Sequence, residues 1–365
     1  MKKKDKRLLS IFLACGIVFL GVTIFSVYKM ISIPKTQTAS SNKVDLLKNK
    51  NSEKNKDEKI NKDKEINIKI SAVGDCTFGE NSGARGEVFS SVYNANDPSY
   101  FFENVVDILS KDDLTIANLE GALSINGQRA DKKFAFRGKP EYTKILTLGS
   151  VEAVNLANNH SMDYGQVAFN DTKKHLDENN IKNFGFKDSA IVEKNGVKIG
   201  LLGYKGWSAT SEIKDSIKKD IADLKKQVNM VVVSFHWGDE RTKEPNSTQK
   251  TLGRLAVDSG ADLVLGHHPH VIQGIEEYNG KNIVYSLGNF VFGGNTNPGD
   301  KDSFIYTQSF TFDSNKSLIK SSEPKTIPVS ISSSKTKNDY KPKVLEGEEK
   351  ERVAKKIEER SNLIK

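Results

Sequence analysis

After residue 65, stretches with the apolar and polar spacing of a β-strand alternate along the chain with stretches that have the spacing of an α-helix. In residues 66–75, INIKISAVGD, apolar and polar side chains first alternate and are then mainly apolar, which predicts a strand that enters a core. Strand-like runs recur at 114–121, 150–160, 302–313 and 326–332. Apolar residues with helical spacing predict helices over 99–113 and 169–180, and the spaced Glu and Lys or Arg pairs of 345–364 predict a charged terminal helix.

Two hairpins and two helix-to-strand units extend this pattern. The hairpins are predicted around Asn195-Gly196 and Asn279-Gly280, where a two-residue turn separates strand-like runs. Residues 215–238 and 248–268 each read as a helix that runs into a strand. Since strands alternate with helices and hairpins cluster later, we expect an α/β protein with partly parallel, partly antiparallel sheets and helices outside.

The N-terminal segment has a different pattern. Residues 8–28 contain no charged side chain, and as a helix they would span about 31 Å, enough for a bilayer core. The run is longer than the apolar region of a cleaved signal peptide, which is the alternative interpretation. We therefore predict a cytoplasmic basic N-terminus (1–7), a single transmembrane anchor (8–28), a flexible charged linker (29–64) and a main domain outside the cell membrane.

Charge and cysteine content exclude several classes of protein. The chain of 365 residues has a formal charge of +8, but no basic helix is interleaved with aromatic residues, so we expect no nucleic-acid partner. Its two cysteines, Cys15 and Cys76, lie in separate segments and are not expected to pair. No Cys-x-x-Cys motif exists, which excludes a thiolate zinc site.

Polar side chains gather where the predicted strands end. Taken singly, each is most often a turn residue or a hydrogen-bonded structural histidine. Sites in α/β sheets form beyond the carboxyl ends of the strands, so together they suggest one site. Carboxylate, amide and imidazole ligands suit Mn, Fe or Zn, and a bridging carboxylate can hold two ions ~3.5–4 Å apart. The residues at these ends are Asp75, Asn118, Glu120, Asn158, Asn159, His160, Asp163, His236, Asp239, Glu240, His267, His268 and His270.

Six motifs resemble the capsule-synthesis CapA family of poly-γ-glutamate biosynthesis proteins, a branch of the calcineurin-like metallophosphoesterase fold. The resemblance implies an α/β/β/α sandwich with mixed sheets over 65–335, preceded by one transmembrane helix and followed by a C-terminal extension with a helix, 336–365. The motifs are AVGDCTFG (72–79), ANLEGALS (117–124), NLANNHSMDYG (155–165), SFHWGDE (234–240), GHHPHVIQG (266–274) and YSLGNFVFG (285–293).

The metallophosphoesterase pattern implies a role for each matching residue. Asp75 and His270 would bind a first divalent metal, Glu120 would bridge, and Asn159, His236 and His268 would bind a second. His160 would be the general acid or would stabilise the transition state, and His267 has no assigned role. Thr77 stands where the pattern has histidine and is a poor ligand, so the resemblance supports one ion (Mn, Fe or Zn) better than two.

Three functions follow as hypotheses. The first is a membrane-anchored extracytoplasmic component of poly-γ-glutamate capsule synthesis or export, which works beside capsule-synthesis membrane proteins and on a polyanionic polymer. The second is an extracellular metal-dependent hydrolase of a phosphoester or γ-glutamyl amide, in which His160 protonates the leaving group. In the third, the polar cluster only stabilises loops.

Overall fold

The computed structural model describes residues 65–364 of the chain. The predicted anchor and linker, 8–28 and 29–64, lie outside these residues. Within the described part, no helix combines the length and the apolar character that crossing a bilayer requires.

The described elements alternate between strands and helices through the first two-thirds of the domain. The helices are α1 (Phe89–Ala95), α2 (Val106–Leu109), α3 (Thr143–Leu148), α4 (Gly165–Glu178), α5 (Ser211–Lys225), α6 (Ser247–Asp258) and α7 (Gly347–Asn362), with 3₁₀ turns at Pro98–Phe101 and Pro140–Tyr142. The strands are β1 (Ile66–Thr77), β2 (Glu80–Asn81), β3 (Leu114–Leu119), β4 (Ala122–Leu123), β5 (Phe136–Gly138), β6 (Ala153–Asn155), β7 (Lys182–Phe184), β8 (Ala190–Lys194), β9 (Val197–Gly206), β10 (Met230–Trp237), β11 (Leu263–His267), β12 (Ile275–Tyr278), β13 (Lys281–Val284), β14 (Asn289–Phe292), β15 (Asp302–Phe312), β16 (Leu318–Ser321), β17 (Lys325–Ser330) and β18 (Lys343–Val344).

These strands form two large mixed sheets and one small sheet. The first has the order β18-β17-β15-β1-β3-β6-β7, with β14 paired to β1 and β16 paired to β15. The second has the order β12-β13-β11-β10-β9-β8, and β2, β5 and β4 form the third. Parallel pairs such as β1–β3 and β10–β11 coexist with antiparallel pairs such as β1–β15 and β8–β9, which confirms the predicted mixed α/β class.

The hydrophobic cores show how the layers are arranged. One core joins the two large sheets and contains side chains of both, such as Ile70 of β1 and Val232 of β10. A second core lies between the other face of the first sheet and helices α1, α3 and α4. A third lies between the second sheet and helices α5 and α6. Helices therefore cover both outer faces of a pair of stacked sheets.

Both predicted hairpins are present. Strands β8 and β9 pair antiparallel around Asn195-Gly196, and β12 and β13 pair around Asn279-Gly280. All four turn residues have positive φ, between 49° and 77°, which is the backbone that a type I′ turn requires and that Asn-Gly favours.

The helix predicted over 99–113 is wrong as a single element. The segment instead forms the 3₁₀ turn Pro98–Phe101 and the short helix α2. Phe101 and Phe102 are both buried and contact different rings, Phe89 at 4.7 Å and Phe290 at 5.6 Å between centroids. The two rings pack against different elements, Phe89 of α1 and Phe290 of β14, and regular helical structure begins only at Val106.

The predicted terminal helix is present as α7, and it is part of the fold. Val353 and Ile357 on one of its faces enter the core between the two sheets, as does Leu345 before it. The remaining face is charged and exposed.

Candidate metal centre

The carboxyl ends of strands from both large sheets meet at one place in the fold. Asp75 lies near the end of β1, Glu120 follows β3 and Asn159 follows β6, all in the first sheet. His236 lies near the end of β10, and His268 follows β11 in the second sheet. Gly74 permits this meeting beside β14, because a Cβ there would lie 2.1 Å from the carbonyl oxygen of Gly288.

Glu120 is the centre of the cluster. Its side chain is fully buried, and its Oε1 lies 3.5 Å from Nε2 of His236. The same Oε1 lies 3.9 Å from Nε2 of His160 and 3.9 Å from Nε2 of His270. Three imidazoles therefore surround one carboxylate oxygen.

A first group of potential ligands consists of Asp75, Glu120 and His270, whose ligand atoms lie within 4.8 Å of one another. Asp75 Oδ2 lies 3.4 Å from His270 Nδ1. The same Nδ1 is 2.8 Å from Asn289 Oδ1, a contact that fixes the ring while Nε2 faces Glu120. An oxygen partner on the other ring nitrogen is common for metal-binding histidines.

A second group consists of Glu120, His236 and His268, and it shares Glu120 with the first. Nε2 of His236 lies 2.7 Å from Asn159 Oδ1, so the amide predicted for this site is also adjacent. Trp207, whose side chain is exposed, lies over this group with its ring 4.6 Å from that of His268.

The positions of the donor atoms suit coordination of a divalent ion better than hydrogen bonding among the side chains. Glu120 Oε1 and His268 Nδ1 are buried and have no hydrogen-bond partner among the described residues, which is costly. Separations of 3.4–3.9 Å, as around Glu120 and Asp75, are long for hydrogen bonds. They match the spacing of two ligands that each lie ~2.1 Å from a common ion.

Electrostatics keep most of these groups in the state that binds metal. Burial opposes the ionisation of Glu120, but the charge on His270 outweighs it and lowers the pKa to about 2. Burial likewise opposes ionisation of Asp75, yet contacts with His267 and His270 hold its pKa well below the usual range. Burial, together with the neighbouring His236 and His270, lowers the pKa of His268 to about 3.

His270 differs from the other histidines. Burial favours its neutral form, but the carboxylates of Glu120 and Asp75 outweigh burial and raise its pKa to about 10. The protonated ring therefore balances two buried carboxylates. A divalent ion at this position would replace that charge and release the proton, as metal binding to imidazole does.

His160 is held at the edge of the cluster by a short network. Asn158 Oδ1 accepts from the backbone N–H of His160 at 3.0 Å, which shapes the turn after β6. Nδ1 of His160 lies 2.6 Å from Asp163 Oδ2, and Lys132 Nζ donates to Asp163 Oδ1 at 2.6 Å. Asp163 therefore orients the ring so that Nε2 faces Glu120, the arrangement a proton donor at this site would need.

All seven predicted site residues thus meet in one place: Asp75, Glu120, Asn159, His160, His236, His268 and His270. Their individual roles stay predictions. Thr77, the departure from the phosphoesterase pattern, donates its hydroxyl to Glu120 Oε2 at 3.4 Å.

Three supporting residues were not assigned roles from the sequence. Asn118 donates its side-chain amide to Asp75 Oδ1 at 2.8 Å and lies 3.2 Å from His236 Nδ1, so it joins the two sheets. Asn289 fixes His270, and His267 lies 3.5 Å from Asp75. Their only sequence signal is their position inside the same strand-end motifs.

A cleft of about 390 Å³ opens beside His160 and His270. Phe134 and Phe136 line one part of it, and Arg241 lines another. The backbone N–H of Arg241 donates to the carbonyl oxygen of Pro269 at 2.7 Å, which ties the cleft to the loop that carries His268 and His270. The cleft therefore borders the cluster at His160 and His270.

Two curated relatives are similar over the same region. The chain is 37% identical over 216 residues to the PGA biosynthesis protein CapA of Bacillus subtilis (strain 168), covering 52% of this chain and 56% of that protein. It is 32% identical over 252 residues to the capsule biosynthesis protein CapA of Bacillus anthracis, covering 62% and 60%. The chain therefore matches less than two-thirds of the length of either relative.

Two solved structures have weaker similarity. A hypothetical protein from Thermus thermophilus is 14% identical with a TM-score of 0.44, covering 72% of this chain and 99% of that one. Purple acid phosphatase PPD1 from yellow lupin is 11% identical with a TM-score of 0.30, covering 70% and 53%. TM-scores below 0.5 do not establish a common fold.

The decisive comparison is with a family model. The model described as bacterial capsule synthesis protein PGA_cap matches residues 69–294, which include all seven predicted site residues. The chain belongs to the bacterial capsule synthesis protein family.

Proposed function

We propose that this protein is a component of poly-γ-glutamate capsule synthesis or export, anchored in the cell membrane by residues 8–28 with its main domain outside. Membership of the capsule synthesis family supports the process, as do the names of the two Bacillus relatives. The uncharged segment supports the anchor, and the five basic residues before it support a cytoplasmic N-terminus. Capsule-synthesis membrane proteins and the polyanionic polymer are the partners in this proposal.

The cluster around Glu120 is a divalent metal centre in this proposal. The observation that carries it is that two groups of buried ligands share one carboxylate, Glu120. Mixed oxygen and imidazole donors favour Mn, Fe or Zn, with one or two ions. Ions bound there would supply electrophilic catalysis and activation of water. The shared carboxylate and the Asn-His pair at 159–160 support kinship with calcineurin-like metallophosphoesterases, whereas Thr77 departs from their pattern.

The residues of the chain have distinct tasks in such a centre. Glu120 belongs to both ligand groups. Asn118 contacts Asp75 of the first sheet and His236 of the second, which fixes the position of one relative to the other. Asp163 orients His160, whose Nε2 faces Glu120 and is the ring atom placed to exchange a proton with a bound substrate. The cleft beside His160 and His270 receives the substrate.

Deletion and complementation test the capsule role. In the source organism, the deletion strain receives the wild-type gene, the Glu120→Gln variant or the matched control Glu141→Gln, whose carboxylate is exposed. We expect wild type and the control to restore cell-surface poly-γ-glutamate and Glu120→Gln to fail at equal protein level. Normal capsule in the deletion strain would refute the role.

A second candidate function is hydrolysis of a phosphoester or γ-glutamyl amide, which the orientation of His160 by Asp163 favours. The purified full chain is assayed with Mn²⁺, a generic phosphodiester and a γ-glutamyl oligomer. We expect His160→Ala to lower the rate on the true substrate by about 10²–10⁴-fold, the usual contribution of a positioned acid. His175→Ala, on helix α4, is the control. Equal rates for wild type and His160→Ala would argue against hydrolysis at this centre.

A further inference from the structure

His267 is the last residue of strand β11, and its ring points into the core between the two sheets. It is the register partner of His236 in β10, so both side chains lie on the same face of the second sheet. Leu265 and Leu263, two and four residues earlier, also face the core between the sheets. Across that core, Nδ1 of His267 lies 3.5 Å from Oδ1 of Asp75.

The burial of this imidazole is unusual. His267 is 0% exposed, and neither ring nitrogen has a hydrogen-bond partner among the described residues. A buried polar group without a partner costs roughly 1–3 kcal/mol. An apolar residue, such as the leucines before it, would fill the same face without this cost. Packing therefore does not explain a histidine here.

Asp75 is the polar group that His267 faces. Oδ1 of Asp75 accepts from Asn118 Nδ2 at 2.8 Å and is the oxygen nearest to His267. Oδ2 accepts from the backbone N–H of His268 at 3.2 Å and lies 3.4 Å from His270. His267 and His270 thus face different oxygens of one carboxylate, and His267 belongs to neither ligand group.

We propose that His267 is a positioning residue of the metal centre, which directs Oδ1 of Asp75 into the core so that Oδ2 remains turned toward His270 and Glu120. This inference rests on the proposed metal centre and deepens it. A partner behind a ligating carboxylate sets its orientation, and loss of such a partner lowers metal affinity about 10–100-fold.

The test compares metal affinity with stability in the same variants. Full-length wild type, His267→Leu, His267→Asn and the control His175→Leu are titrated with Mn²⁺ by calorimetry and unfolded in urea without metal. For His267→Leu we expect about 10–100-fold weaker binding of the ion held by Asp75, Glu120 and His270. The ion held by Glu120, His236 and His268 should bind as in wild type. His267→Asn, which keeps an N–H donor, should bind nearly as wild type does.

The stability measurement separates positioning from packing. We expect metal-free His267→Leu to differ little from wild type in stability, because loss of the contact with Asp75 and removal of a buried imidazole without a hydrogen-bond partner act in opposite directions. Unchanged binding of both ions in His267→Leu would overturn the inference while leaving the metal centre intact. A loss of stability that accompanies weaker binding of both ions would also overturn it, because His267 would then be structural. Absence of any ion in wild type would instead refute the proposed centre itself.

Discussion

Glu120 has the most consequential position of any single residue in this structure. Its carboxylate belongs to both ligand groups, whereas Asp75 and His270 belong to one and His236 and His268 to the other. A bridging carboxylate can hold two ions ~3.5–4 Å apart. The two groups are therefore coupled through Glu120, and the effect of a substitution depends on which group it removes.

If the proposed centre binds two ions, Glu120→Gln should remove both, because the amide removes the negative charge from the shared ligand. Asp75→Asn should remove the ion of its own group and leave the other in place. Elemental analysis of the purified variants after dialysis measures the ions per chain, with Glu141→Gln as the exposed control. Two ions retained in Glu120→Gln would contradict the bridging role.

Sequence reasoning reached the site residues because they occupy short motifs directly after strands. Asp75, Glu120, Asn159 and His236 lie at or just beyond the ends of four different strands, and parallel pairing places such ends together. Asn118 and His267 could not be assigned in the same way. Their importance depends on contacts across the two sheets, to His236 and to Asp75 respectively, which no local pattern encodes.

At the scale of elements, helix α7 supports the loop that carries His268 and His270. Both histidines have positive φ, 96° and 56°, a backbone that non-glycine residues adopt only when their surroundings impose it. Arg360 of α7 is buried and donates to the carbonyl oxygen of Ile272, just beyond this loop. Ser361 Oγ accepts from the backbone N–H of Ile275 at 2.9 Å. The helix therefore braces the segment that follows the two ligands.

Replacement of Arg360 by Met should lower the free energy of unfolding by about 1–3 kcal/mol, because the carbonyl oxygen of Ile272 loses its partner in a buried position. Lys355→Met on the exposed face of the same helix is the control and should change stability by less than about 0.5 kcal/mol. Urea unfolding of both variants measures the difference. Equal effects would show that the helix does not support the loop through Arg360.

A second contact of α7 predicts a dependence on pH. Arg352 donates to both oxygens of Asp302 at 2.6 and 2.7 Å, and Lys356 also contacts this carboxylate. Burial raises the pKa of Asp302, but these cations outweigh burial and lower it. The stabilisation is therefore fully present above the ordinary Asp pKa of ~3.9 and is lost as pH falls through the lowered value.

Asp302→Asn should accordingly be less stable than wild type near neutral pH, and the difference should shrink as pH falls below ~3.9. Urea unfolding over that range measures the difference in free energy of unfolding at each pH. Asp215→Asn, with an exposed carboxylate, is the control. A difference that does not change with pH would show that the pair does not stabilise the fold through its charge.

Elements with strong local signals were predicted best. The Asn-Gly turns require positive φ at both positions, a local constraint, and both hairpins are present. The sheet of β2, β5 and β4 was not predicted, since its strands have two or three residues and too few positions to show a period. The break at Phe101-Phe102 likewise depends on tertiary contacts, which outweigh local helical spacing.

At the scale of the whole molecule, positive charge is divided unequally. Residues 1–64 carry a formal charge of +9 and Lys365 carries +1, which leaves −2 for residues 65–364 of the total of +8. The segment 29–64 alone carries +5. If the protein binds a polyanion as proposed, attraction by net charge therefore comes from the segment before the folded domain, and binding in the cleft would depend on local groups such as Arg241.

This division predicts two separable modes of binding to poly-γ-glutamate. A protein of residues 29–365 should bind the polymer more tightly than residues 65–365 at ~10 mM ionic strength, where charges interact over ~30 Å. The advantage should vanish near ~1 M salt, where screening shortens that distance to ~3 Å. Fluorescence anisotropy with a labelled oligomer measures both proteins, and replacement of the five acidic residues of 29–64 by their amides should strengthen the advantage. Equal, salt-independent affinity of the two proteins would show instead that the folded domain recognises the polymer by specific contacts alone.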